Sequence, residues 1–212
     1  MTKLERIALG LILAPVAPLV GLLGGWWGAY ALLPEKWIPL GAIAGLLAGI
    51  LVDPFLLKKL LERRPSLLLW MAVFLFYSVG IFGFFMGVPV FNAALALPAG
   101  FVTGSRLAAE NADRTRSWKV AQRTAWFTTG VLALICTASA FIALTDPYTA
   151  GNLRGMLGLG FEVTQGMVIG LILVGGAGLL LACCGLTMAA VWVTYKWLSK
   201  NPGIPGQSGR PV

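Results

Sequence analysis

The groups in this sequence that could perform acid–base, nucleophilic or metal chemistry are few, and their spacing suits little of it. There is no histidine, which removes the commonest metal ligand and the usual proton shuttle near neutral pH. Cys136 and the adjacent pair Cys183 and Cys184 fall inside apolar runs without the spacing of a metal site. They read as small apolar packing residues. No phosphate loop, nucleophile elbow or intramembrane carboxylate pair is present in the sequence, so the motifs that carry hydrolysis and group transfer are missing. Asp53, Glu62, Asp146 and Glu162 remain as acids that an interfacial enzyme would have to use, and each sits beside the end of an apolar run. The expectation is a protein that is not an enzyme and holds neither cofactor nor metal.

Those acids have structural readings. Leu51-Val52-Asp53-Pro54-Phe55 and Leu144-Thr145-Asp146-Pro147-Tyr148 follow two different apolar runs. An Asp followed by Pro supplies a cap oxygen and then a residue with no N–H to leave unsatisfied, which is what a helix start needs. Asp53 and Asp146 are therefore candidate helix caps. Asp53 would open an interfacial helix with Phe55, Leu56, Leu57, Leu60 and Leu61 toward lipid and Lys58, Lys59, Glu62 and Arg63 toward water. Asp146 would open a short helix on the opposite face. Glu162 is a third candidate cap, beside Thr164 and Gln165 at the start of the last run, where the helix dipole favours a carboxylate. The two pentapeptides would also fit an inverted repeat of two three-span halves, a plan used by transporters. The remainder of the halves aligns poorly, so the cap reading is preferred.

The elements that position these groups follow from composition. With 58% hydrophobic and only 11% charged residues, and apolar runs longer than any strand or core helix, the chain reads as all-α and polytopic in a membrane. Runs near the length of a bilayer core give six transmembrane helices at about 7–33, 37–57, 66–88, 91–105, 124–145 and 165–195. The first run resembles the apolar part of a secretory signal. It is far too long for one and no small-residue cleavage site closes it, so it is expected to be a retained span. Residues 1–200 would form one helical membrane domain, and the Pro-, Gly- and Ser-rich residues 201–212 a disordered cytoplasmic tail.

Charge decides the topology. Residues 66–105 contain no charge, and as one straight helix these roughly forty residues would reach about 60 Å, twice the hydrocarbon thickness. The stretch must turn back, and the turn falls at residues 87–92, where Pro89 disfavours helix before it and Asn92 can cap a new one. If residues 92–105 then cross, every Lys and Arg of the sixteen except Lys36 and Arg154 lies on one side. That segregation makes both termini cytoplasmic and the location a cell membrane. The net charge of +8 then concerns insertion and anionic lipids at the inner face, with no nucleic acid implied. Aromatic residues agree: Trp26, Trp27, Tyr30 and Trp37 would form an outer belt, and Trp70, Trp118, Trp126, Trp192, Tyr195 and Trp197 an inner one. Residues 106–123 are expected as a helix on the cytoplasmic surface with Glu110 paired to Arg114.

The hairpin around Pro89 is the candidate site. A fourth span of residues 92–105 supplies about 21 Å of helix, about 9 Å less than a full crossing, which leaves two readings: a submerged apex or, preferred, a tight structural hairpin at the outer interface with a tilted neighbour making up the length. Backbone groups freed at a submerged apex must be buried in protein or line a wet cavity. Tyr77, Ser78, Pro89 and Asn92 are the candidate solute-path residues. The function preferred from sequence is a small transport or permeation protein for a neutral or anionic solute, since no central carboxylate exists to hold a cation. The alternative is an accessory or structural subunit of a membrane complex. Small-residue rows indicate close helix packing at Gly21/Gly25, Gly24/Gly28, Gly83/Gly87, Gly100/Gly104, Gly166/Gly170 and Gly41, Gly45 and Gly49. The last row is also the candidate seam of a homo-oligomer. Thr128, Thr129, Thr137 and Ser139 are assigned to packing, because hydroxyls in membrane helices bond their own or a neighbouring backbone.

Overall fold

The computed structural model describes residues 3–63, 65–85, 87–158 and 160–200, and among them there are helices and turns but no strand. The expected tail at 201–212 lies outside the described residues. Five helices among the described residues are long and apolar enough to cross a membrane, over Glu5–Leu32, Glu35–Leu61, Leu67–Phe84, Arg114–Thr145 and Gln165–Lys200. The chain divides into two compact units, one up to Val73 and one from Phe74 onward.

The first unit is built on α1 (Lys3–Leu13), α2 (Val16–Leu32) and α3 (Ile38–Arg63), with a 3₁₀ turn at Glu35–Trp37. The first apolar run is broken between α1 and α2 at Ala14 and Pro15, where proline cannot donate to the preceding turn. α2 and α3 pack backbone to backbone. A methyl added at Gly45 would fall on the Gly21 carbonyl and 3.0 Å from the Gly25 Cα, and one at Gly49 would lie 2.7 Å from the Pro18 Cα. Gly21 and Gly25 on α2 and Gly41, Gly45 and Gly49 on α3 thus face each other inside one chain. A methyl added at Gly24 or Gly28, on the other side of α2, would meet nothing within 4 Å among the described residues of the first unit.

One cap expectation is corrected here. α3 runs without interruption through Asp53 and Pro54 to Arg63, so Asp53 opens no separate interfacial helix. Pro54 removes one hydrogen bond, to the carbonyl four residues earlier, and membrane helices tolerate that loss. Asp53 consequently lies within an apolar span that continues to Leu61. Its Oδ1 is buried without a hydrogen-bond partner among the described residues.

The second unit contains most of α4 (Leu67–Phe84), then α5 (Val90–Ala93), α6 (Ala96–Ala109), α7 (Arg114–Thr145), α8 (Thr149–Leu157) and α9 (Gln165–Lys200). The run expected as the fourth span is two helices, α5 and α6, separated by a turn at Ala94 and Leu95. α6 fits closely along α9: a methyl at Gly100 would lie 2.9 Å from the Thr187 backbone carbonyl oxygen, and one at Gly104 would lie 2.8 Å from the Thr194 Cβ. The contacts rise together along both helices, so α6 and α9 run in the same direction. α7 runs opposite to both, with Ala121 packed near Val191 and Leu132 near Cys183. The open glycines lie elsewhere: among the described residues a methyl added at Gly83 or Gly170 would meet nothing within 4 Å, and one at Gly166 would meet only the Thr164 hydroxyl, at 3.9 Å.

Residues 106–123 do not form one surface helix. α6 ends at Ala109, and α7 begins at Arg114 and continues directly into its apolar part. Asp113 caps it by accepting the Arg116 N–H at 3.3 Å. Glu110, in the loop, is bonded by Arg106 at 3.1 Å and Arg116 at 2.7 Å and not by Arg114. The reason is geometric: with the helix broken at 110–113, Glu110 and Arg114 no longer share a face.

Candidate functional site at the buried hairpin

The turn between α4 and α5 is built by glycine and proline. Gly87 adopts φ +83°, a conformation that costs a side-chain-bearing residue energy, and its N–H reaches back to the Phe82 carbonyl at 2.8 Å to close α4. Pro89 then occupies the cap position of α5, where a missing N–H costs nothing. Phe85 and Phe91 stack across the turn, with ring centroids 3.9 Å apart. Asn92 was expected to cap the new helix; instead it sits inside α5 and its amide donates to the Ser78 carbonyl at 2.7 Å. The side chain therefore ties α5 back onto α4.

This hairpin is placed below the end of its neighbour. The Ser139 hydroxyl donates to the Gly87 carbonyl, and Ser139 precedes the α7 terminus at Thr145 by six residues, or about 9 Å of helix rise. A carbonyl freed by the turn is satisfied by an α7 side chain, as a turn away from water requires. Asn92 and Ser78 are 4% and 2% exposed, so they face protein and not an open channel. The Asn92 Oδ1 is buried with no partner among the described residues. Tyr77 is half-buried, with its ring 5.8 Å from that of Phe76.

A layer of hydroxyls lies deeper between α7 and α9. Thr128 and Thr187 are fully buried and their hydroxyls lie 2.9 Å apart. Each also bonds its own helix, Thr128 to the Ala125 carbonyl and Thr187 to the Cys183 carbonyl. Thr103 and Thr124 repeat the arrangement between α6 and α7 at 3.2 Å. Cys183 is buried against Ala93, Ala96 and Leu132, with Cys136 packed on the same cluster. Among the described residues, no three His, Cys, Asp or Glu side chains converge in a way that could hold a metal ion.

The other two candidate caps divide. The Asp146 carboxylate accepts the Tyr148 N–H at 3.0 Å, bridging the end of α7 to the start of α8. At the start of α9 the cap oxygen belongs to Thr164, which accepts the Met167 N–H at 3.3 Å, while Glu162 is exposed in the preceding loop. The two Asp-Pro sequences thus do different work, one inside a helix and one between two helices. The sequence pointed to Asn92 through its place after Pro89 but not to its partner Ser78, and it gave no means of pairing Thr128 with Thr187. The chain matches no known protein-family model, and no detectable similarity links it to a curated protein or to a solved structure.

Proposed function

We propose that this integral membrane protein crosses a cell membrane six times, with both termini cytoplasmic, and serves as a non-catalytic accessory or structural subunit of a membrane assembly. The observation that carries the subunit reading is the state of the hairpin. Asn92 and Ser78, the polar groups best placed to line a solute path, are buried and bonded to each other. Around them α6 lies in glycine contact with α9, which supports a packed centre. Small residues elsewhere lack partners: on α9, a methyl added at Gly170, Gly176, Gly178 or Gly185 would meet no other part of the second unit within 4 Å among the described residues. In a bilayer, where lipid is as apolar as leucine, such faces favour close approach of another helix. The glycine row of α3 is occupied by α2, which turns attention from that row to α9 for a partner.

Six crossings are supported by the direction of α6. It runs parallel to α9 and opposite to α7, as a segment crossing between α4 and α7 must. The basic residues of the loop from α6 to α7 then fall on the same side as Lys196 and Lys200. Solute permeation is the second reading, and it is favoured by one atom, the buried Oδ1 of Asn92 that has no partner among the described residues, which a passing hydrogen-bond donor would satisfy. The test is extraction of the tagged full chain from its native membrane in polymer-bounded lipid discs. A second membrane protein at constant stoichiometry is expected. Persistent isolation as a lone monomer or homodimer would contradict the subunit reading.

A further inference from the structure

Where α7 and α9 leave their apolar stretches, they enclose a groove of about 890 Å³ between Arg114, Trp118 and Lys119 on one side and Trp192, Tyr195 and Lys196 on the other. We infer that this groove is a binding site for the phosphate-bearing headgroup of an anionic phospholipid, with the aromatic rings packed on the glycerol and upper acyl chains. The inference needs the chain to sit in a membrane but does not depend on the subunit reading.

Three observations converge. The first is charge: among the described residues, three cations and no carboxylate line the groove. The nearby acids are engaged elsewhere, Glu110 by Arg106 and Arg116 and Asp113 by the Arg116 N–H. No ion pair joins Arg114, Lys119 or Lys196 to an acid among the described residues. Three unneutralised cations around one concavity suit a phosphodiester.

The second is the aromatic wall. Trp118 and Trp192 have ring centroids 6.2 Å apart and Trp192 and Tyr195 6.0 Å apart. The Tyr195 hydroxyl is anchored on the Ala112 carbonyl at 2.7 Å, so that edge is fixed before a ligand arrives. Rings of this kind prefer the depth of the headgroup and glycerol region. The third is level. Thr128 lies opposite Thr187 and the two helices are antiparallel, so Lys119 and Lys196 stand at one height. Arg123 is the last charge on α7 before its apolar part, which sets that height at the headgroups.

The test uses the purified full chain in lipid discs containing equal phosphatidylglycerol and phosphatidylcholine, with bound lipid read by native mass spectrometry. A surface cation contributes about fivefold to attraction of anionic lipid. The wild-type chain is expected to retain phosphatidylglycerol at least about fivefold over phosphatidylcholine. The combined Arg114→Gln, Lys119→Gln and Lys196→Gln variant should fall to near parity, whereas Arg6→Gln, Lys58→Gln and Lys59→Gln, an equal charge loss in the first unit, should keep the preference. The charge-preserving pair Lys119→Arg and Lys196→Arg should also keep it, which separates loss of the site from loss of the fold. An undiminished preference in the groove variant, an equal drop in the first-unit variant, or displacement of the lipid by soluble glycerol phosphate alone would each overturn the assignment.

Discussion

Replacing Gly45 by Ala should destabilise the protein, although the same replacement at Gly28 should not. Both glycines lie in long helices of the first unit, and alanine is the better helix former by about 1 kcal/mol. Gly28 has nothing within 4 Å of an added methyl among the described residues, so only the propensity gain applies. At Gly45 the methyl would fall on the Gly21 carbonyl oxygen, with the Gly21 carbonyl carbon at 2.9 Å and the Gly25 Cα at 3.0 Å. Carbon atoms pack comfortably at about 3.5–4.0 Å, so the helices must separate by about 0.5–1 Å. A gap of that size forfeits a quarter to a half of each dispersion contact along the seam. The obstruction is backbone, which cannot rotate away. Overpacking of this kind costs about 1–3 kcal/mol, leaving a net loss of up to about 2 kcal/mol after the propensity gain, and a deficit of about 1–3 kcal/mol relative to Gly28→Ala, which keeps that gain. For a chain of this size that deficit corresponds to a Tm about 2–12 °C below that of Gly28→Ala, on the scale of soluble domains. The three cysteines all lie in the second unit, so a thiol-reactive dye would report the wrong half. Detergent-stable monomer remaining after heating, followed by size exclusion of a fluorescent fusion, is the suitable assay. Equal melting of the Gly45→Ala and Gly28→Ala variants would refute the backbone contact between α2 and α3.

Other expectations follow from the second unit. Removing the paired hydroxyls by Thr128→Val and Thr187→Val in a double-mutant cycle should give a coupling of about 0.6 kcal/mol, at most about 1.7, because each hydroxyl also bonds its own backbone. A coupling of zero would mean that the two do not meet. Asn92→Leu should lower stability by about 1 kcal/mol through loss of the bond to Ser78 and leave solute flux into liposomes unchanged; a changed flux would revive the permeation reading. Thr164→Ala should cost about 1 kcal/mol as a lost helix cap, seen as faster amide exchange in the first turn of α9, whereas Glu162→Gln should leave that turn unaltered.

The long apolar helices were legible in the sequence because bilayer thickness imposes a minimum length on them, and that length is visible without knowing any contact. The turn at Gly87 and Pro89 was legible for a similar reason, since local backbone chemistry determines it. What failed were signals with one local form and two structural outcomes. Asp53 and Pro54 carry the same pattern as Asp146 and Pro147, yet α3 absorbs the first while α7 ends at the second. Packing of α3 against α2 continues through the glycine row to Gly49 and favours an unbroken helix there. Glu162 had the right charge for a cap, but Thr164 is nearer the first turn and takes the position. Glycine spacing named more faces than packing uses: Gly41, Gly45 and Gly49 are in contact, whereas Gly24 and Gly28 are open. Which row meets another helix depends on helix rotation, which spacing alone does not encode. The partners of Asn92 and Thr128, and the groove between Trp118 and Trp192, join residues far apart in the chain and emerge only when the helices are assembled.

The central claim is that α5 and α6 together carry the chain across the membrane, so that the loop from α6 to α7 is cytoplasmic. Asn111 stands exposed in that loop with φ +46°, and a cysteine there, with the three native cysteines replaced, can be labelled by a membrane-impermeant maleimide. The account predicts that Asn111→Cys reacts only in inverted vesicles or broken cells, while Gly151→Cys in α8 reacts in intact cells. Labelling of Asn111→Cys from outside intact cells would contradict it.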